Sequence, residues 1–138
     1  MAAVTPLLET RQLSRSFGGL RAVESVDFSL DSGEIRAIIG PNGAGKTTFV
    51  SLVCGRVAPT SGAIRFAGED ITALPAHRRV RRGIAYTFQI TSVYANLTAF
   101  DNVALAVQRR LLDATGEKPS RRALSAATMA ALDRLGLA

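Results

Sequence analysis

Three features of this sequence predict an α/β domain. A β-branched apolar run, IRAIIG (residues 35–40), leads directly into the glycine-rich stretch GPNGAGKTT, Gly40 to Thr48. Beyond Lys46 the apolar residues change to helical spacing, with Phe49, Leu52 and Val53 at i, i+3 and i+4. Alternating residues ahead of the loop predict antiparallel strands, and two longer stretches behind it carry helical stripes. A buried strand, a glycine-rich loop and a helix therefore form the centre of the predicted fold.

The elements follow in chain order. LLETRQLSRSF (Leu7 to Phe17) reads as a strand that breaks at Gly18-Gly19. In AVESVDFSL (residues 22–30), Val26, Phe28 and Leu30 alternate with polar residues, as in a half-buried antiparallel strand. DSGE is a turn, and IRAIIG is a short buried strand ending at the loop. After the loop helix, TSG reads as a turn and AIRFAGEDI as a short strand or hairpin around Gly68. LPAHRRVRR reads as a short basic helix with Pro75 near its start. GIAYTFQ reads as a further strand, with Ile84, Tyr86 and Phe88 on one face.

Two helices complete the chain. In LTAFDNVALAVQRRLL, Thr98 and Asp101 have capping-box spacing, with Asp in place of the usual Glu. Phe100, Val103, Ala104, Val107 and Leu111 share one face of that helix. Ser120 is placed to cap the last helix, with Leu124, Ala127, Ala131 and Leu135 inward, and Gly136 sits where a left-handed residue ends it.

Composition sets wider bounds. The 138 residues are the size of one domain, and 47% hydrophobic with 20% charged residues is a globular balance. With no Trp, the packing falls to Leu, Ile, Val and Ala. The net charge of +6 favours anionic partners without choosing among them. Cys54 is the single cysteine, so no intrachain disulfide forms, and its place beside Leu52 suggests a small core residue. No stretch approaches the roughly 18 apolar residues that cross a bilayer, and MAAVTPLLETRQLSRSF lacks a signal-peptide pattern. A soluble, cytosolic chain is expected.

Gly40, Gly45, Lys46 and Thr47 satisfy G-x-x-x-x-G-K-[ST], with Pro41, Asn42, Gly43 and Ala44 between and Thr48 after. Gly43 and Gly45 lack side chains, so backbone N–H groups can turn toward phosphate oxygens. The helix that begins at Lys46 adds its N-terminal partial positive charge. Lys46 reaches β- and γ-phosphates as a point charge, and the Thr47 hydroxyl suits Mg²⁺. ATP with Mg²⁺ is the expected ligand pair. The loop predicts a nucleoside triphosphate and leaves open what its energy drives.

The stretch SFGGLRAVESVDFSLDSGEIRAIIGPNGAGKTTFVSLVCGRVAPTSGAIRFAGEDITALPAHRRVRRGIAYTFQ resembles the ATP-binding subunits of ATP-binding cassette (ABC) transporters. Within them it is most similar to the subfamily serving branched-chain amino-acid importers, from about Leu8 to Ala138 and most strongly between Phe17 and Asn102. The resemblance implies a P-loop NTPase fold with an N-terminal antiparallel β-subdomain, a core parallel sheet and the start of a helical subdomain. It implies one partial domain, 8–138, with the ATP-binding core over about 8–90 and the glutamine loop and helical region over about 91–138. Phe17 matches the aromatic that stacks on adenine, the alternative being a core plug. Gln89 matches the glutamine that contacts Mg²⁺ and the attacking water.

The same resemblance implies an ATPase that energises solute import from the inner face of the cell membrane. Its partners would be transmembrane permease subunits and a second ATP-binding subunit. ITSVYANLTAFDNV is where the membrane subunit would dock, with Val93 and Tyr94 exposed if that surface exists and tucked beneath the helix if not. His77 precedes Gln89 and so is not the family's switch histidine; it reads as a solvated surface residue. The run Arg78, Arg79, Arg81, Arg82 has no interleaved aromatics and reads as a solvated helix face, so nucleic acid is not expected.

Hydrolysis needs more than a cradle. Asp113 follows only two apolar residues within a helical pattern, and Asp27 lies upstream of the loop, so neither ends a Walker B strand. No SGGQ-like signature occurs. The chain thus reads as the N-terminal half to two-thirds of such a subunit, binding nucleotide but hydrolysing it negligibly alone. A non-hydrolysing nucleotide-binding regulatory module fits the same residues, and a nucleic-acid-associated ABC protein is a third reading.

Overall fold

The computed structural model describes residues 5–88 and 93–137. The chain divides into two compact units, Met1–Tyr86 and Thr87–Ala138.

The first unit is built on a four-stranded antiparallel sheet. Strands β1 (Leu8–Phe17) and β2 (Leu20–Leu30) form a hairpin across Gly18-Gly19, with Gly18 at φ 57°. Helix α1 (Lys46–Val53) follows, then β3 (Ser61–Phe66) and the short β4 (Glu69–Asp70), then helix α2 (Ala76–Arg81). The strand order is β2-β1-β3-β4. Ser61 and Gly62, expected in a turn, open β3 instead.

The β1–β2 ladder slips register at bulges, where Gln12 and Ser25 both have φ 46°. Side chains satisfy the amides released there. Asp27 Oδ1 accepts from the Gln12 N–H at 2.6 Å, and Ser14 Oγ accepts from the Ser25 N–H at 2.8 Å. The apolar face of the sheet packs on α1. Leu8, Leu13, Val23, Ile64 and Ile71 meet Phe49, Leu52 and Val53 in one core cluster. Val26, Phe28 and Leu30 pack on its margin, as their alternation predicts, and the Phe28 and Phe49 rings meet edge-on at 5.4 Å. Each buried Leu, Ile or Phe side chain contributes roughly 1.5–3 kcal/mol. Cys54 is buried beside them.

The far end of α1 is closed by a side chain from α2. Arg79, 1% exposed, donates from Nη1 to the carbonyls of Leu52 (2.7 Å) and Val53 (2.9 Å). Its Nη2 and Nε donate to the Thr72 and Leu74 carbonyls. Helix ends leave such carbonyls without intrahelical partners. The expected solvated face of the arginine run therefore holds for Arg78, Arg81 and Arg82, which are exposed, and fails for Arg79. Gly55, at φ 74°, makes room for it, because a Cβ there would lie 2.8 Å from Arg79 Nε.

Two expected strands do not form ladders. Residues 35–40 and 84–88 carry no strand pairing among the described residues, and Ile35 and Ile39 are 98% and 90% exposed. A strand of a parallel sheet draws its hydrogen bonds from distant segments on both sides. Side chains of both stretches still meet the first unit, with the Arg36 guanidinium over the Phe28 ring and Ile84 against the core cluster. No described strand pairs with their backbones, so the apolar pattern persists without the ladder. The parallel ladder of the expected core is accordingly not formed among the described residues.

The second unit holds a helical hairpin, α3 (Ala99–Thr115) and α4 (Arg121–Asp133). The Thr98 hydroxyl accepts from the Asp101 N–H at 3.1 Å and donates to Asp101 Oδ2 at 2.6 Å, closing the expected cap. Ser120 Oγ accepts from the Ala123 N–H, and Gly136, at φ 66°, ends the last turn. Phe100, Val103, Ala104, Val107 and Leu111 are half-buried as expected. In α4, Thr128 and Leu132 are the buried residues, whereas Leu135 is exposed beyond the helix. No helix among the described residues is long and apolar enough to cross a membrane.

Candidate functional site

The glycine-rich loop is positioned from both ends by the first unit. Val23 on β2 pairs with Arg15 on β1, and Val23 belongs to the core that receives Phe49 and Leu52 of α1. Gly45, the last residue before α1, is left-handed at φ 81°. A Cβ on it would overlap the carbonyl oxygen of Ala22 and come within 3.2 Å of the carbonyl carbon. The helix start is thereby pressed onto the β2 backbone, and only glycine permits it. Gly43 also takes a left-handed conformation, at φ 83°, in open space.

The start of α1 has no side-chain cap. Gly45 contributes its carbonyl to the Phe49 N–H at 2.8 Å and has no side chain with which to satisfy the first amides. Pro41, Asn42, Gly43 and Ala44 are exposed, as is Thr47, while Thr48 is half-buried. The Ala44 N–H donates to the Pro41 carbonyl at 3.3 Å, which curls the loop. Lys46 reaches back over it, and its ammonium donates to the carbonyls of Gly40 and Pro41, both at 2.6 Å. The ammonium therefore stands at the mouth of the loop.

A cavity of about 390 Å³ adjoins this arrangement, lined by Val26, Phe28, Ile38, Gly45, Lys46 and Phe49 among others. A larger open groove of about 720 Å³ runs past Glu9, Gln12, Asp27 and Arg36, and no loop residue lines it. The donor set at the loop is one of main-chain amides at a helix N-terminus, one ammonium and one exposed hydroxyl. That chemistry fits an anionic phosphate chain, and the hydroxyl fits a hard cation that retains water ligands.

The remaining expected site residues divide. Phe17, the last residue of β1, is 45% exposed and does not plug the core. The Arg15 guanidinium lies over its ring at 4.5 Å. Gln89 lies outside the described residues. Val93 and Tyr94 are exposed, at 61% and 67%. Asn102, which the sequence reading passed over, organises that segment. Its amide donates to the carbonyls of Tyr94, Leu97 and Thr98 and accepts from the Tyr94 N–H. An Asn one turn into a capped helix was the available signal. His77 is exposed.

The burial of Cys54 holds its thiol above the ordinary range, with the nearby Arg79 and Arg56 charges opposing this more weakly. It is a packed core group and takes no part in the loop.

Comparison with known proteins bears on the same region. The family model described as ABC transporter matches residues 23–137. The high-affinity branched-chain amino acid transport ATP-binding protein BraF of Pseudomonas aeruginosa is 42% identical over 106 residues, 77% of this chain and 42% of its own length. The lipopolysaccharide export system ATP-binding protein LptB of Escherichia coli K12 is also 42% identical, over 103 residues, 75% of this chain and 43% of its own. Among solved structures, a nucleotide-free ATP-binding cassette from an ABC transporter superposes with a TM-score of 0.79 at 25% identity, covering 96% of this chain and 55% of that one. The chain spans about two-fifths of the length of the curated relatives it matches.

Proposed function

The chain belongs to the ABC transporter family of ATP-binding domains, and from that premise we propose that it binds ATP–Mg²⁺ and serves a transporter importing branched-chain amino acids or similar small solutes. The carrying observation is the uncapped start of α1, seated on Ala22 through Gly45, with the Lys46 ammonium at its mouth.

In this reading the amides from Gly40 to Thr48 receive the phosphate oxygens. Lys46 leaves the carbonyls of Gly40 and Pro41 for the β- and γ-phosphates, exchanging two neutral acceptors for charged ones. Thr47 would hold Mg²⁺, which neutralises phosphate charge when bound. Phe17 offers an exposed ring to the adenine, and Gln89 would contact the cation and the attacking water. The solute class rests on the branched-chain relative, which the lipopolysaccharide-export relative equals in identity to this chain. Permease subunits and a second ATP-binding subunit at the cytoplasmic membrane face are the partners proposed with it.

Titration calorimetry of the folded chain with ATP and magnesium tests the reading. Saturable binding that Lys46→Ala weakens at least about tenfold is expected. Absence of binding by folded protein would overturn it.

A further inference from the structure

We propose that Arg15 is a positioning residue for the base-binding face of Phe17, an inference that rests on the nucleotide reading above. Arg15 and Phe17 stand two apart on β1 and so project to the same side of the strand. The guanidinium carbon lies 4.5 Å from the ring centroid, within the range of a cation–π contact. Arg15 is also tethered: its Nη1 donates to the Ala58 carbonyl at 2.9 Å. Its Nε is buried with no hydrogen-bond partner among the described residues.

A buried donor without a partner is costly, so something must hold the group in place. The tether to Ala58 and the ring face are what this structure supplies. With one face of Phe17 covered by the cation, a flat base has the other face alone. The order of the stack becomes guanidinium, phenyl ring, base, with the ring's rotation fixed before the base arrives.

The register of the sheet places this stack beside the phosphate loop. Arg15 pairs with Val23, Ser16 with Arg21 and Phe17 with Leu20. Ala22, in the same short span of β2, is the residue against which Gly45 is pressed. The ring at the end of β1 and the start of α1 are therefore both referenced to residues 20–23. A base on the free face and phosphates on the loop would be measured from one rigid piece of backbone.

The test compares binding of magnesium-ATP and magnesium-tripolyphosphate to the whole chain carrying Arg15→Gln, Arg15→Lys or Phe17→Ala. Arg15→Gln is expected to weaken ATP about threefold while tripolyphosphate is unchanged, the size of an exposed cation–π contact. Arg15→Lys, which keeps a cation over the ring, is expected to recover most of that loss. An equal change for both ligands, or no change for either, overturns the inference. If Phe17→Ala lowers the preference for ATP while Arg15→Gln does not, the role of Arg15 alone fails. If Phe17→Ala leaves that preference intact, the base-stacking reading fails with it.

Discussion

The carbonyl oxygen of Ala22 occupies the space that a side chain on Gly45 would need. Gly45→Ala must therefore separate β2 from the start of α1, and it also places an L-residue at φ 81°. The conformation alone costs about 1–2 kcal/mol. Urea unfolding should show a loss of at least that size, and ATP binding should fall more than tenfold. A variant of unchanged stability and affinity would show that the contact is not maintained in solution.

Lys46 gives the opposite pattern. Its bonds to Gly40 and Pro41 are exposed and replaceable by water, so Lys46→Ala should leave the unfolding midpoint nearly unchanged. Nucleotide affinity should drop at least about tenfold, since a charge-assisted contact to phosphate is lost. Paired calorimetry and thermal unfolding on one preparation separate the two effects.

Arg79 governs stability away from the loop. Arg79→Met strands the carbonyls of Val53, Thr72 and Leu74 and leaves that of Leu52 with the Gly55 N–H alone. Each buried acceptor left unpaired costs on the order of 1–3 kcal/mol, and partial relaxation makes a total near 3 kcal/mol reasonable. Arg79→Lys should recover little, because an ammonium cannot reproduce the planar fork. Full recovery by lysine in chemical denaturation would mean that charge, not geometry, is what α1 requires.

Cys54 should react with Ellman's reagent slowly in the native chain and quickly in urea, since it is buried and its thiol is held protonated. The pH dependence follows in sign. A raised folded-state value means that the contribution of this group is complete below the unfolded thiol range and declines as pH climbs through and above it. Replacement by Ala should flatten that alkaline decline, as read from unfolding midpoints across the alkaline range.

Magnesium-ATP should be bound by these 138 residues but turned over no faster than in buffer. No carboxylate at the end of an apolar strand follows the loop in the sequence, and phosphoryl transfer depends on such groups. Phosphate release at a rate typical of the family would contradict this.

What the sequence made legible was local. The Gly18-Gly19 hairpin, the turn at Gly68 and the caps at Thr98 and Ser120 are each specified by a few adjacent residues, and all four form. The loop was legible because its glycines and Lys46 must occupy fixed spacings. Residues 35–40, expected as a buried strand, and 84–88, expected as a further strand, form no ladder among the described residues, because a side-chain pattern reports apolar character and not the identity of a hydrogen-bonding neighbour. Arg79 was hidden within a run of like residues. Its signal lay elsewhere, in Gly55 directly after α1, where a helix end needs donors and a neighbour needs room.

Ile35 and Ile39 project into water from a stretch whose backbone groups find no ladder. Such a bare margin is a sticky one for any two molecules that collide. Crowding rather than heat should then limit how the purified material is handled. Light scattering that rises with protein concentration at a fixed cool temperature, and subsides on dilution, is the behaviour this margin prescribes.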